Sequence, residues 1–85
     1  MAKSFKLIII TTEKTVYDAE VTSIVAPGDL GYLGILADHA PLITSLTTGN
    51  LKITDSHGSI SNMTLSGGFL EVLKNTVTIL ADAIT

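Results

Sequence analysis

The 85-residue sequence contains no cysteine and no arginine. Without cysteine, disulfides, thiolate nucleophiles and cysteine-ligated zinc are excluded. The five lysines are scattered along the chain, and the formal net charge is -3. Because binding to nucleic-acid phosphates requires clustered cations, nucleic acid is a poor candidate for a partner.

Charged residues are also scarce, at 15% of the chain, whereas hydrophobic residues make up 46%. This composition excludes disorder caused by low hydrophobicity. We expect a single domain over residues 1–85, which on folding buries only about 60–65% of the surface that the unfolded chain exposes. The chain therefore has more apolar surface than one small core can hide, which predicts association with a larger partner.

Long hydrophobic runs are absent. The apolar residues 7–10 follow two lysines, as at the start of a signal peptide, but the run ends at Thr11. It is shorter than the roughly 7–15 residues of a secretory signal core and the roughly 20 residues of a membrane span. We interpret it as a first strand and expect no direct membrane insertion.

Period-two alternation with frequent turns dominates the sequence, and no window of a dozen residues keeps a helical apolar stripe free of glycine and proline. Turn-forming residues predict chain reversals at residues 27–31, 37–41, 48–50 and 55–58. The fold class expected from this spacing is all-β, a small β-sandwich or flattened barrel of about 8–10 short antiparallel strands.

Catalytic chemistry finds little support in the sequence. Asp38, His39 and Ser66 supply the residue types of a hydrolase triad. However, adjacent residues of a strand point in opposite directions, and Ser66 lacks the glycine two positions earlier that a nucleophile elbow uses. His39 and His57 each lack a second histidine at a metal-ligand spacing. We predict no catalytic, cofactor or metal site, and expect that the chain is not an enzyme.

An alternative function concerns Lys74, in a predicted hairpin turn. Small acidic β-sandwiches can carry biotin or lipoate on a lysine displayed at such a turn. Lys74 lacks the flanking methionines and the preceding acidic residue of those carriers. The alternative of a carrier or ligand-binding β-sandwich predicts a derivatised Lys74, whereas we favour an unmodified turn lysine.

The segments 65–72 and 77–82 carry apolar residues on both faces, with Phe69 on one face and Leu70 on the other. One face must form the core, and the other is predicted to meet a partner unless the bends of the sandwich bury both. If ~600–800 Å² stays free, ~25 cal/mol per Å² gives ~15–20 kcal/mol of gross association energy, against about 4–15 kcal/mol lost on docking. That surplus suffices for a stable subunit contact.

Several spaced motifs also resemble one known family. They are GYLGILADHAPL at residues 31–42, Gly49, LSGGFLEV at residues 65–72 and VTILADA at residues 77–83. Together, from near Phe5 to Ala83, they resemble the N-terminal β-sandwich domain of the epsilon subunit of F-type ATP synthases. The agreement of all these motifs in order carries the resemblance, since the Ser-Gly-Gly element alone is weak.

The resemblance implies a non-catalytic subunit of the rotating central stalk, peripheral to the membrane on its cytoplasmic face and without a cofactor. Its partners would be the gamma subunit and the membrane rotor ring of c subunits, whose rotation it would couple to gamma during ion-driven ATP synthesis. The implied ring contacts are Asp29, Gly31, Tyr32, Asp38, His39 and Pro41. The gamma contacts expected on one apolar face are Leu70, Val72 and Ile79.

The chain departs from the family pattern in two ways. Relatives often have glycine before the histidine of the His-Ala-Pro-Leu motif, where this chain has Asp38, so the charge at the ring contact is expected to differ. Most relatives also continue into a C-terminal helical hairpin that restrains ATP hydrolysis and in some cases binds ATP. We expect no such hairpin in these 85 residues, and therefore neither inhibition by an inserting helix nor nucleotide sensing. Either a naturally short subunit or an excised domain would have this sequence.

Overall fold

The computed structural model describes residues 3–85, which form strands, turns and loops without a helix. Its six strands are β1 (Phe5–Ile10), β2 (Thr15–Gly28), β3 (Gly31–Leu36), β4 (Leu42–Asp55), β5 (Ile60–Leu73) and β6 (Thr76–Ala81). The predicted all-β class is confirmed. None of the described residues belongs to a helix that could cross a bilayer.

The strands are fewer and longer than expected, because β2, β4 and β5 each span 14 residues. The turn predicted at residues 48–50 lies inside β4, and β5 likewise continues without a break through the Gly67-Gly68 pair. Glycine marks a bend within a strand as readily as a turn between strands. Gly49 and the Gly67-Gly68 pair therefore bend β4 and β5 without ending them.

The sheet closes on itself. The strand order is β1-β6-β5-β4-β2-β3, and β1 also pairs with β2. The β1–β6 pair is parallel, from Lys6↔Thr76 to Ile10↔Leu80, whereas the other pairs are antiparallel. A parallel pair needs a long crossover connection, and here the intervening strands of the barrel supply it. This single parallel pair departs from the antiparallel arrangement that was expected.

The core is built from inward-facing apolar side chains of all six strands, without a buried polar or charged side chain within residues 3–85. Its members are Phe5, Leu7, Ile9, Val21, Ile24, Ala26, Ile35, Leu46, Leu51, Ile53, Leu65, Leu70, Val72, Val77, Ile79 and Ala81. In β2 the inward positions shift phase between Val21 and Ile24, where the pairing with β4 shifts register. A β-bulge at this register shift accounts for the change of phase.

The Ser66-Gly67-Gly68 segment bends β5 where it passes from the chain end to β6. Ser66 N donates to Ala83 O (3.1 Å), and Asp82 N donates to Gly67 O (3.0 Å). Gly67 and Gly68 have φ values of 122° and 138°, a region that favours glycine. The bend lets one long strand contribute to both layers of the sandwich.

Candidate contact surfaces

One outer face of the barrel is apolar. Ile43 on β4, Phe69 on β5 and Leu80 on β6 are 73%, 58% and 53% exposed and line one shallow groove. Phe69 is the cross-strand partner of Leu80, which in turn pairs with the half-buried Ile10 of β1. We call these four residues the outer apolar patch. The surplus apolar surface expected from the composition is thus present, and the alternative that both faces are buried is wrong.

A single carboxylate interrupts the outer apolar patch. Glu71 is exposed, its cross-strand partners are Ile43 and Thr78, and it lines the same groove. A charge at the margin of an apolar surface favours one docking orientation over others. Glu71 is therefore a candidate for setting the orientation of a partner.

The three residues expected to contact gamma face inward. Leu70 and Ile79 are 0% exposed and Val72 is 2% exposed, so the folded domain offers none of these side chains to a partner. Their strands alternate, and Phe69 and Leu80 occupy the outward positions beside them. The candidate contact surface is therefore the outward face of the same two strands, and not the inward face that was expected.

The residues expected to contact the ring lie at the two ends of β3. Asp29 precedes the strand and Gly31 and Tyr32 begin it, while Asp38, His39 and Pro41 follow its end at Leu36. A six-residue strand is about 20 Å long at roughly 3.3 Å per residue. The two groups are therefore separate.

The start of β4 connects these two groups along one edge of the barrel. After Pro41 the chain runs back towards the other end of β3, where Asp29 N donates to Ser45 O (3.4 Å), and the Ser45 hydroxyl donates to the Asp29 carboxylate. The residues therefore do not form one cluster. They lie along an edge formed by β3 and the first residues of β4.

Tyr32 has a structural contact as well as an exposed surface. Its hydroxyl accepts a hydrogen bond from Asn50 N (3.2 Å). A Cβ atom at Gly49 would lie 2.9 Å from this hydroxyl and 2.8 Å from Pro27 Cβ, so glycine is required for the tyrosine to pack there. Tyr32 remains 61% exposed and keeps most of its surface available to a partner.

The loop of residues 37–41 holds Asp38 in the left-handed region, with φ of 62°. Aspartate is one of the few residues other than glycine that adopt this conformation readily. The same backbone would therefore accept glycine, the residue of the family pattern that the sequence resembles, as well as aspartate. Asp38 Oδ2 also pairs with Lys3 Nζ at 3.1 Å, and the His39 ring donates from Nδ1 to Ala40 O at 2.7 Å.

The residues considered for catalysis or modification have other surroundings. Ser66 Oγ donates to Ala83 O (3.5 Å), whereas the Asp38 carboxylate pairs with Lys3 and the His39 ring bonds to Ala40 O. Lys74 is exposed in the two-residue turn between β5 and β6, as the carrier alternative requires. The turn itself is explained by backbone geometry, because Lys74 and Asn75 have φ of 50° and 59°, which is typical of a type I′ hairpin.

The other notable polar turn joins β4 and β5. Asp55 Oδ1 accepts hydrogen bonds from Ser59 N (2.9 Å) and His57 N (2.8 Å). These bonds favour the ionised form and lower the pKa of the Asp55 carboxyl. The turn is structural, and His57 contributes its backbone amide.

Comparison with known proteins gives a consistent result along the whole sequence. Residues 4–85 match the family described as ATP synthase, Delta/Epsilon chain, beta-sandwich domain. The ATP synthase epsilon chain of Carboxydothermus hydrogenoformans is 49% identical over 83 residues, covering 98% of this chain and 61% of the relative. The epsilon chain of Desulforamulus reducens is 45% identical over 82 residues, covering 96% and 61% respectively. This chain thus spans about three fifths of the length of these curated relatives.

Two solved structures share the fold. A chain of the Euglena gracilis mitochondrial ATP synthase, in a structure of OSCP, F1 and c-ring, superposes with a TM-score of 0.91 at 23% identity, covering 96% of this chain and 52% of that chain. A chain of the Tetrahymena thermophila mitochondrial ATP synthase central stalk and c-ring gives 0.80 at 21% identity, covering 99% and 67%. At this identity the likeness establishes the fold.

Proposed function

This chain belongs to the family of ATP synthase delta/epsilon chain β-sandwich domains, and we propose that it is a non-catalytic central-stalk subunit of a rotary F-type ATP synthase. In this role it couples the membrane rotor ring to the gamma subunit during ion-driven ATP synthesis, as a peripheral component on the cytoplasmic face of the membrane. The observation that carries the proposal is the outer apolar patch, because a fully built core leaves it uncovered.

The outer apolar patch is proposed to dock on gamma. Complete burial of a large apolar side chain contributes about 1.5–3 kcal/mol. Ile43, Phe69 and Leu80 expose between half and three quarters of their surface, so burying what remains would contribute about 3–5 kcal/mol together. Association costs about 4–15 kcal/mol, which means that the patch is the centre of a larger interface. An aromatic anchor surrounded by aliphatic side chains is typical of such centres.

The edge formed by β3 and the first residues of β4 is proposed to contact the rotor ring. It presents the carboxylates of Asp29 and Asp38 and the half-buried ring of His39, all in or beside turns. Polar groups on turns suit contact with the polar loops of the ring that the family resemblance implies. The outer apolar patch and this edge together would fix the domain between two partners.

The experiment is binding of the tagged, full-length chain to isolated gamma, with and without a charge in the outer apolar patch. Phe69→Asp is compared with Ile60→Asp, because both residues lie on β5 and are 58% and 57% exposed. Ile60, at the start of the strand, lies outside the patch. We expect Phe69→Asp to weaken binding to gamma at least tenfold, because an unpaired carboxylate would be desolvated, and Ile60→Asp to leave it unchanged.

Circular dichroism and thermal unfolding check that both variants remain folded. Equal affinities of the two variants for gamma would refute docking through the outer apolar patch. Failure of the unaltered chain to bind either gamma or the ring from solubilised membranes would refute the proposed function itself.

A further inference from the structure

Asn75 joins three segments that are distant in sequence. Its side-chain Oδ1 accepts a hydrogen bond from Asp38 N (2.7 Å) in the loop of residues 37–41. Its Nδ2 donates to Ser4 O (3.0 Å) ahead of β1, and its backbone carbonyl accepts from Lys6 N (3.2 Å). One residue in the β5–β6 turn therefore holds both the N-terminal segment and the loop that follows β3.

The turn alone does not require these contacts. Lys74 and Asn75 both have positive φ, and glycine satisfies such positions as well as asparagine does. Asparagine adds a side-chain amide whose oxygen accepts a hydrogen bond from one distant segment and whose nitrogen donates a hydrogen bond to another. The side chain, rather than the turn conformation, thus distinguishes Asn75 from a residue that only reverses the chain.

Apart from the bond to Asn75, the side-chain interactions of the loop of residues 37–41 restrain the loop only weakly. The Lys3–Asp38 ion pair joins side chains that are 80% and 60% exposed, and such exposed pairs contribute little to stability. The His39 bond to Ala40 lies within the loop. The bond from Asp38 N to Asn75 is a short bond from the loop backbone to the barrel, which makes it the main restraint on the loop.

We propose that Asn75 is a positioning residue that fixes the loop of residues 37–41 relative to the strands carrying the outer apolar patch. The inference rests on the proposed function, in which the loop contacts the ring and the patch contacts gamma. β5 and β6 carry Phe69 and Leu80, and Asn75 lies in the turn between them. Asn75 thereby connects the loop proposed to contact the ring with the turn between the strands of the face proposed to dock on gamma.

The test compares Asn75→Gly with Lys74→Gly in the full-length chain. Both changes place glycine at a turn position with positive φ, so their effects on the backbone are matched, and only the first removes the amide. Loss of one hydrogen bond of about 1 kcal/mol corresponds to roughly a fivefold change in an equilibrium. We expect exchange of the Asp38 amide proton, followed by nuclear magnetic resonance, to be about fivefold or more faster in Asn75→Gly and unchanged in Lys74→Gly.

Affinities for the rotor ring and for gamma separate a positioning role from a merely structural role, which would not change the ring affinity selectively. Asn75→Gly should weaken binding to the isolated rotor ring by roughly five- to tenfold while its affinity for gamma stays that of the unaltered chain, and Lys74→Gly should change neither. Unaltered Asp38 exchange in Asn75→Gly, or unaltered ring affinity despite faster exchange, overturns the inference alone. If the unaltered chain does not bind the ring, the proposed ring contact fails, and the positioning role fails with it.

Discussion

Replacing Gly68 by alanine should destabilise the domain severely, because backbone atoms of β6 occupy the space that a side chain at this position of β5 would need. A Cβ atom at Gly68 would overlap the carbonyl oxygen of Leu80 and lie 3.0 Å from the Cα atom of Ala81. Both obstacles are backbone atoms, so no side-chain rotation relieves the clash. In addition, φ at Gly68 is 138°, a conformation that L residues rarely adopt.

The expected loss of stability in Gly68→Ala is the sum of two free-energy costs. Holding a residue other than glycine in a sparsely populated backbone region costs about 1–3 kcal/mol, and inserting a carbon into packed surroundings costs about 1–3 kcal/mol. Their sum, about 2–6 kcal/mol, compares with a total stability of about 4–13 kcal/mol for a domain of this length at roughly 0.05–0.15 kcal/mol per residue. We therefore expect Gly68→Ala to be partly or wholly unfolded.

The matched control is Gly34→Ala in β3. A Cβ atom at Gly34 would have no neighbour within 4 Å, and the φ of this residue lies outside the left-handed region. Alanine in a strand is favoured over glycine by about 0.5–1 kcal/mol, so this variant should be as stable as the unaltered chain or slightly more stable. Urea unfolding followed by circular dichroism measures both. A loss below about 1 kcal/mol in Gly68→Ala would refute the close-approach explanation of the Ser-Gly-Gly motif.

Three further predictions address single positions. Asp38→Gly should keep the stability of the domain, whereas Asp38→Val should lose about 1–2 kcal/mol in chemical unfolding, because the φ of 62° at Asp38 is costly for a β-branched residue. The pKa of Asp55 is lowered by its backbone hydrogen bonds, so its stabilisation is present above the ordinary aspartate pKa and is lost as the pH falls through the folded value. Asp55→Asn should therefore show a smaller loss of thermal stability on acidification than the unaltered chain, and equal losses would contradict this. Intact mass spectrometry of the native protein should find Lys74 unmodified, and a lysine-linked cofactor would instead support the carrier alternative.

Local alternation predicted which residues of a strand share a face, but it did not predict which face is inside. Phe69 and Leu70 are both large and apolar, so period-two reasoning separates them without ranking them. The closure of the barrel by β1 and β6 decides which face is inside, because it encloses Leu70 and Ile79 and leaves Phe69 outside. That closure joins residues about 70 positions apart, as in the pair Lys6↔Thr76, and such pairing leaves no local signal.

The bend at Gly49 shows the same limit for turn prediction. Glycine flanked by threonine and asparagine is typical of a turn, and the local sequence gives no reason to prefer a bend within a strand. The deciding contacts come from Pro27 and Tyr32, because a Cβ atom at position 49 would lie 2.8 Å from Pro27 Cβ and 2.9 Å from the Tyr32 hydroxyl. Asn75 was missed for a related reason, because asparagine in a hairpin turn is explained locally and its bonds to Asp38 and Ser4 span 37 and 71 positions.

The arrangement of the two proposed contact surfaces favours stiffness. Only Leu42 separates Pro41, in the loop proposed to contact the ring, from Ile43 in the outer apolar patch. Asn75 provides a second route from the same loop to the turn between the patch strands. Because β1 pairs with both β2 and β6, strands β1, β6, β5, β4 and β2 form a closed ring, and β3 alone among the described strands keeps a free edge. Closure removes the open edges along which the strands of that ring could slide. A load on the loop would therefore displace the domain as one body, which is the mechanical property that a coupling subunit needs.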